Sequence, residues 1–206
     1  PKLLCLPNPD SPTGTVLSPD ALRSILTKCE EVETILLVDE AYHPFYEFTV
    51  LPWIQTSRNL IVARTFAKAW GAAGLRIGYA AAHHETIALL HKMRPMYEVS
   101  SLAVEYMSRM MNKTDEMMQS VARIKEGKQF FADEMQSLGF RVLPTSGNFL
   151  HVDFGERGAA MHAALTNKVL YRISFDVPCL KGYSRFSVAP VPIMAQVVDL
   201  IKQALK

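Results

Sequence analysis

The sequence predicts an α/β fold, a mostly parallel sheet with helices, followed by a smaller α+β domain. Three observations predict it. Short apolar runs at Leu3–Leu6, Ile35–Leu37 and Leu60–Ala63 have the length of buried strands, and each leads into polar residues. Between the first two runs, Leu22, Ile25, Leu26 and Cys29 recur at helical spacing, which gives the β-α-β alternation of a parallel sheet. Beyond residue 113 the order changes to a long helix, short strands and further helices, the α+β order of a second domain. The predicted domains are 1–112 and 113–206.

Taken in order, Ser18 is suited to cap the first helix, with Pro19 at its first position. After the strands near 35–38 and 60–63, Tyr79–Ala82 predicts a further strand, and helices should cover Glu85–Lys92 and Ser101–Met111. Thr114 is expected to cap a long helix ending near Gly139. Its apolar seam is Met117, Val121, Ile124, Phe131, Met135 and Leu138, interrupted by Lys128. The methionines Met107, Met110, Met111, Met117 and Met118 read as packing rather than as an adaptable binding surface. Strands near 141–143 and 149–154, a helix near 159–167, strands near 170–173 and 185–188, and a terminal helix complete the chain. No repeat or low-complexity tract interrupts it.

Composition narrows the function classes. A hydrophobic fraction of 49% over 206 residues is ample for a core, and no apolar run has the length of a membrane helix. A net charge of +2, with no basic stretch interleaved with aromatics, argues against nucleic acid as a partner. Cys5, Cys29 and Cys179 are scattered without metal spacing, which fits a reducing cytoplasm. His83 and His84 read as surface residues, and no metal site is expected.

Three strand ends carry the chemistry. The run Leu60–Ala63 delivers Thr65, Lys68 and, eight residues further on, Arg76. Lys68 sits among small and apolar neighbours, and a poorly hydrated amine is an available nucleophile. Arg76 is suited to an anion. A reactive lysine beside an anion site is what holding pyridoxal phosphate (PLP) requires. The other two ends are Pro7-Asn8-Pro9-Asp10-Ser11-Pro12-Thr13-Gly14 and Val38-Asp39-Glu40-Ala41-Tyr42. In open α/β sheets ligands bind at the carboxyl ends of the strands, so the three segments predict one composite site. Each residue also has a plainer reading. Lys68 could be a surface lysine, Thr65 a turn cap, Asp39-Glu40 a solvated loop pair, Tyr42 a core-edge aromatic, Arg185 an exposed strand residue and Asn148 half of a Gly-Asn turn.

Asn-Pro-x-x-Pro-Thr-Gly, then Asp-Glu-Ala-Tyr, then Thr-x-x-Lys with an arginine eight residues on, resembles the class I/II PLP-dependent aminotransferases. The branch it resembles most is that of histidinol-phosphate aminotransferase, which Ser146–Phe149 and Ser184–Val188 also fit. The resemblance implies that Lys68 holds the cofactor as a Schiff base and later moves the substrate proton. It implies that Asp39 pairs with the pyridine nitrogen and that Tyr42 donates to the ring oxygen. Thr65 and Arg76 would bind the cofactor phosphate, and Arg185 and Asn148 the substrate carboxylate. It further implies transamination from glutamate to a histidinol-phosphate-like or other keto acceptor, small amino-acid and keto substrates, and a cytoplasmic homodimer. A PLP decarboxylase of the phosphothreonine type and a non-catalytic ligand-binding module share these motifs.

The sequence departs from the pattern at three places. Ser11, a shorter side chain, stands where the family has an asparagine bonded to the ring oxygen, so that bond is lost, bridged by water or left to Tyr42 alone. Ala67 stands where this branch commonly has a phosphate-binding serine, and Ala189-Pro190 follows where Gly-Thr is usual. The chain also opens at the strand leading into the Asn-Pro motif. It is therefore expected to be a piece of a longer protein, weak or inactive alone.

Overall fold

The first sheet holds its strands in sequence order: β1 (Leu3–Pro7), β2 (Ile35–Asp39), β3 (Leu60–Thr65) and β4 (Gly78–Ala82). A computed structural model describes residues 2–206. The first three strands are parallel, and β4 returns antiparallel along β3 after a short connection. The sheet is thus mostly parallel with an antiparallel edge, a common variation on α/β sheets.

Helix α1 (Pro19–Glu31) crosses from β1 to β2, and the Ser18 hydroxyl accepts the Ala21 amide at 3.2 Å as the sequence predicts. Its buried stripe, Leu22, Leu26 and Cys29, packs on Leu36 and Val38 of β2 and Leu60 and Val62 of β3. Each fully buried leucine or valine contributes about 1.5–3 kcal/mol. These contacts hold the carboxyl ends of β2 and β3 in fixed register, and the candidate residues hang from those ends. Helices α2 (His84–Met93) and α3 (Ser101–Met110) follow, close to their expected bounds.

The chain divides into two compact units, one ending at Met118 and the other spanning Gln119–Lys206. The division falls inside helix α4 (Thr114–Ser137), beyond the expected boundary at residue 112. Thr114 does not cap this helix. Met111–Lys113 already form a tight helical turn, and the Thr114 hydroxyl donates to the Met111 carbonyl at 3.0 Å. With helical backbone running straight in, the first amides need no side-chain cap. The far end behaves as expected. Gly139 takes φ +84, its amide donates to the Gln136 carbonyl, and the Phe140 amide donates to the Met135 carbonyl.

In the second unit β5 (Arg141–Leu143), β6 (Phe149–Asp153) and β7 (Tyr183–Ser187) form an antiparallel sheet in that order, joined by α5 (Gly158–Leu165) and followed by α6 (Val191–Ala204). Its core is Phe131 and Met135 of α4, Leu150 and Val152 of β6, Phe186 of β7, and Met161, Leu165, Met194, Val198 and Ile201. Gly127 lets α4 approach the chain before α6, since a Cβ there would lie 1.9 Å from the Ala189 carbonyl oxygen. The strand expected near 170–173 is absent. Leu170 is fully exposed, and only Arg172 pairs, by a single bridge to Arg185.

Candidate active site

Asp39 ends β2 in register with Pro7 of β1 and Ala63 of β3. The ladder runs one residue further on each side, with the Asn8 amide on the Asp39 carbonyl and the Glu40 amide on the Ala63 carbonyl, both at 2.9 Å. The end of β2 is therefore rigid. The Asp39 carboxylate accepts the Ala41 amide at 3.0 Å with Oδ1, and Oδ2 has no hydrogen bond among the described residues. The chain then turns to bury the Tyr42 ring. The ammonium of Lys68 lies 5.1 Å from the centroid of that ring. Asp39, Tyr42 and Lys68 thus gather at the carboxyl ends of β2 and β3.

Thr65 ends β3, and its hydroxyl oxygen accepts the Ala67 amide at 3.0 Å, so it does the turn-capping work while keeping its O–H as a donor. Arg76 is exposed, in left-handed backbone at φ 52, with Nη1 donating to the Ala73 carbonyl at 3.1 Å. Ser11 is exposed at the tip of the turn after β1, and no hydrogen bond links it or Arg76 to Asp39 or Lys68. One expectation fails. Lys68 is exposed rather than desolvated, because the small residues around it cannot cover a four-carbon side chain.

Sequence reasoning missed Glu40 as more than a motif letter. Only 3% of it is exposed, and its carboxylate accepts from the Thr49 hydroxyl, the Val50 amide at 2.8 Å, and both Nε and Nη2 of Arg64 at 3.0 and 2.8 Å. Arg64 directly precedes Thr65, so the pair ties the two strand ends together. Beside it, burial first and then the Arg64 charge hold His43 below the usual imidazole pKa, against the opposing pull of Glu40. The available signal was an acid one residue past one parallel strand's end and an arginine near the end of its neighbour.

The second unit holds the other two candidates. Arg185 on β7 stands opposite His151 of β6 on one side and Arg172 on the other. Residues directly opposite share a face, so both arginines lie on the face that carries Phe149 and His151. The Arg185 guanidinium lies 5.2 Å from the Phe149 ring centroid and 5.7 Å from that of Phe175, and Arg172 lies 4.4 Å from Phe175. Neither arginine forms an ion pair among the described residues. Arg172 was passed over because its segment read as an ordinary strand. Asn148 precedes β6, and its carbonyl accepts the Val188 amide at 3.0 Å.

Ligand atoms of His83, His84 and Glu85 lie within 4.8 Å of one another. Two of the three are already engaged. Glu85 pairs with Arg58 at 2.9 Å, and His83 Nδ1 accepts the Glu85 amide. Among the described residues no helix is long and apolar enough to cross a membrane.

A parallel sheet with a lysine, a buried tyrosine and a carboxylate gathered at adjacent strand ends defines a ligand-binding α/β domain. The chain belongs to the aminotransferase class I and II family, whose model matches residues 1–200. It is 33% identical over 203 residues to histidinol-phosphate aminotransferase of Citrifermentans bemidjiense, covering 98% of this chain and 57% of that protein. With the enzyme of that name from Thermoanaerobacter sp. the identity is 32%, over 100% of this chain and 58% of that one. The Sinorhizobium meliloti histidinol-phosphate aminotransferase, solved with pyridoxal-5′-phosphate, superposes with TM-score 0.83 at 25% identity, covering 99% of this chain and 57% of that one. The L-threonine-O-3-phosphate decarboxylase of Porphyromonas gingivalis, at 20% identity and TM-score 0.82, shares the fold. The chain spans a little over half the length of the curated relatives it matches.

Proposed function

We propose that this chain carries the lysine-bearing part of a PLP-dependent aminotransferase. The observation that carries it is the Lys68 ammonium 5.1 Å from the buried Tyr42 ring, beside Asp39 at the adjoining strand end. These residues fit the cofactor. Asp39 keeps one carboxylate oxygen for a protonated ring nitrogen, Tyr42 offers a phenol, and Lys68 an amine. Thr65 and Arg76 would hold the phosphate, and Ser11 would stand near the ring oxygen. Residues 1–112 would form part of the cofactor domain and 113–206 the small domain.

When bound, PLP supplies an electron sink for the carbanion formed at the substrate α-carbon. Lys68 would hold the cofactor through its amine and would move the proton at the substrate α-carbon, a general acid–base task for an amine. The Asp39 carboxylate stabilises a cationic ring nitrogen by charge pairing. Glu40 and Arg64 hold Asp39 and Thr65 in register. Arg185, braced by Phe149 and Phe175, orients the substrate carboxylate by a two-pronged guanidinium contact. Arg172 on the same face adds a second cation there, suited to an anionic acceptor such as one that carries a phosphate. Asn148 directly precedes Phe149, with its carbonyl held by the Val188 amide. Glutamate as donor, a homodimer and a cytoplasmic setting complete the reading, as the family resemblance implies.

The test is a half-reaction. Full-length protein loaded with PLP is mixed with glutamate, and 2-oxoglutarate release is followed with conversion of the cofactor to its amine form. Addition of the keto form of histidinol phosphate should restore the aldehyde form. Release of carbon dioxide instead, or no conversion, would overturn the proposal.

A further inference from the structure

We propose that Lys128 is a positioning residue that fixes the turn before β6, and with it Asn148 in that turn and Phe149 beside Arg185. The inference rests on the carboxylate-binding role given to Arg185 and Asn148.

Lys128 stands in the core-facing seam of α4, between Ile124 and Phe131, both of which belong to the apolar core. A lysine in such a seam ordinarily carries its ammonium out to water along its own stem. This one turns inward. Its ammonium donates to the Thr145 carbonyl at 2.8 Å and the Gly147 carbonyl at 3.0 Å, gripping the chain on either side of Ser146. The turn is pinned from two further directions. The Thr145 hydroxyl donates to the Phe149 carbonyl, and the Val188 amide donates to the Asn148 carbonyl. Gly147 is buried, so the turn is enclosed rather than a loose surface loop.

Packing alone does not account for a cation here. Lys128 is half-buried and forms no ion pair among the described residues, so the cost of drawing its charge partly from water is offset by two backbone carbonyls. Burial, and secondarily the Lys125 charge, hold its pKa below the usual lysine value. A methionine would fill the seam without that penalty. What the methionine could not do is hold two carbonyls a fixed distance from α4. The residues leaving that grip are Asn148 and Phe149, and the Phe149 ring lies under the Arg185 guanidinium. A turn that shifts by an ångström shifts the surface against which the substrate carboxylate is bound.

The experiment compares Lys128→Met, Lys128→Gln and Lys128→Arg with wild type in the full-length protein. Four readouts are taken: the urea midpoint, amide hydrogen exchange at residues 147–149, the dissociation constant of a four-carbon dicarboxylate probe, and KM and kcat for the amino donor. Lys128→Met should keep its urea midpoint while exchange at 147–149 quickens and probe affinity falls about tenfold, the scale on which loosened substrate positioning acts. KM for the amino donor should rise with it more than kcat falls. Lys128→Arg, which keeps two donors, should recover much of the affinity. Unchanged exchange, or unchanged affinity in a variant with quickened exchange, would overturn the proposal. If Lys128→Met does not fold, Lys128→Gln carries the same two readouts. Failure of the wild type to bind the probe would count against the Arg185 assignment instead, and the exchange measurement would still decide whether Lys128 holds the turn.

Discussion

Arg64 meets Glu40 through both Nε and Nη2, at 3.0 and 2.8 Å, across the carboxyl ends of two parallel strands. The guanidinium is 13% exposed and the carboxylate 3%, so neither charge is well hydrated. Removing one partner leaves the other buried and uncompensated. Glu40→Gln should therefore cost about 3–5 kcal/mol of stability, the usual penalty for breaking such a pair. Glu40→Gln combined with Arg64→Met should recover a substantial part of it. Urea unfolding of the two variants is the check, and a double variant no better than the single one would show that the charges are not coupled.

Lys68 should be the residue that PLP modifies. Its exposure leaves the amine open to an aldehyde, and the Tyr42 ring 5.1 Å away gives it a fixed neighbour. Borohydride treatment of the PLP-loaded full-length protein, followed by peptide mapping, should place the added mass on Lys68. Labelling that persists at the same level in Lys68→Ala would put the reactive amine elsewhere.

Asp39→Asn should retain the fold and much of the cofactor affinity while losing turnover. Asparagine keeps an oxygen for the Ala41 amide, so the local turn survives. It cannot supply the negative charge. If about 3 kcal/mol of charge pairing matures in the transition state, the rate falls about a hundredfold. Half-reaction rates near wild type, with PLP still bound, would reject Asp39 as the ring-nitrogen partner.

The sheet was legible because its cues are local. Apolar runs of strand length alternate with a capped helix, and the Ser18 cap and the Gly139 stop both occur where the residues ask for them. The strand ends at Asp39 and Thr65 followed from the same pattern. What the sequence hid depends on contacts between distant residues. Glu40 finds Arg64 only once β2 and β3 pair, and Lys128 finds its carbonyls only once α4 lies against the turn before β6. The segment near 170–173 has strand-like composition but no ladder beyond one bridge, since pairing is decided by the partner and not by propensity. The exposure of Lys68 was misread because apolar neighbours in sequence are not apolar cover in space.

The second unit should lose stability in mild acid through His162. Its Nδ1 lies 2.6 Å from the Tyr171 hydroxyl, and the Tyr171 ring in turn stacks on Phe186 at 4.5 Å between centroids. Burial holds His162 below the ordinary imidazole value of 6.5. A histidine whose folded pKa is depressed binds its proton more readily when unfolded, so the unfolded state gains as protons are added. Its contribution is therefore fully present above the unfolded value near 6.5 and is lost as the pH falls through the lower folded value. His43 is shifted in the same direction and should give the first unit a similar trend of its own. The measurement is the urea midpoint from about pH 7.5 to about pH 5, which brackets the imidazole value, for wild type and for His162→Gln. Glutamine can accept from the Tyr171 hydroxyl but cannot titrate, so the variant's midpoint should fall less steeply below neutrality. Parallel curves for the two proteins would show that His162 is not the group responsible.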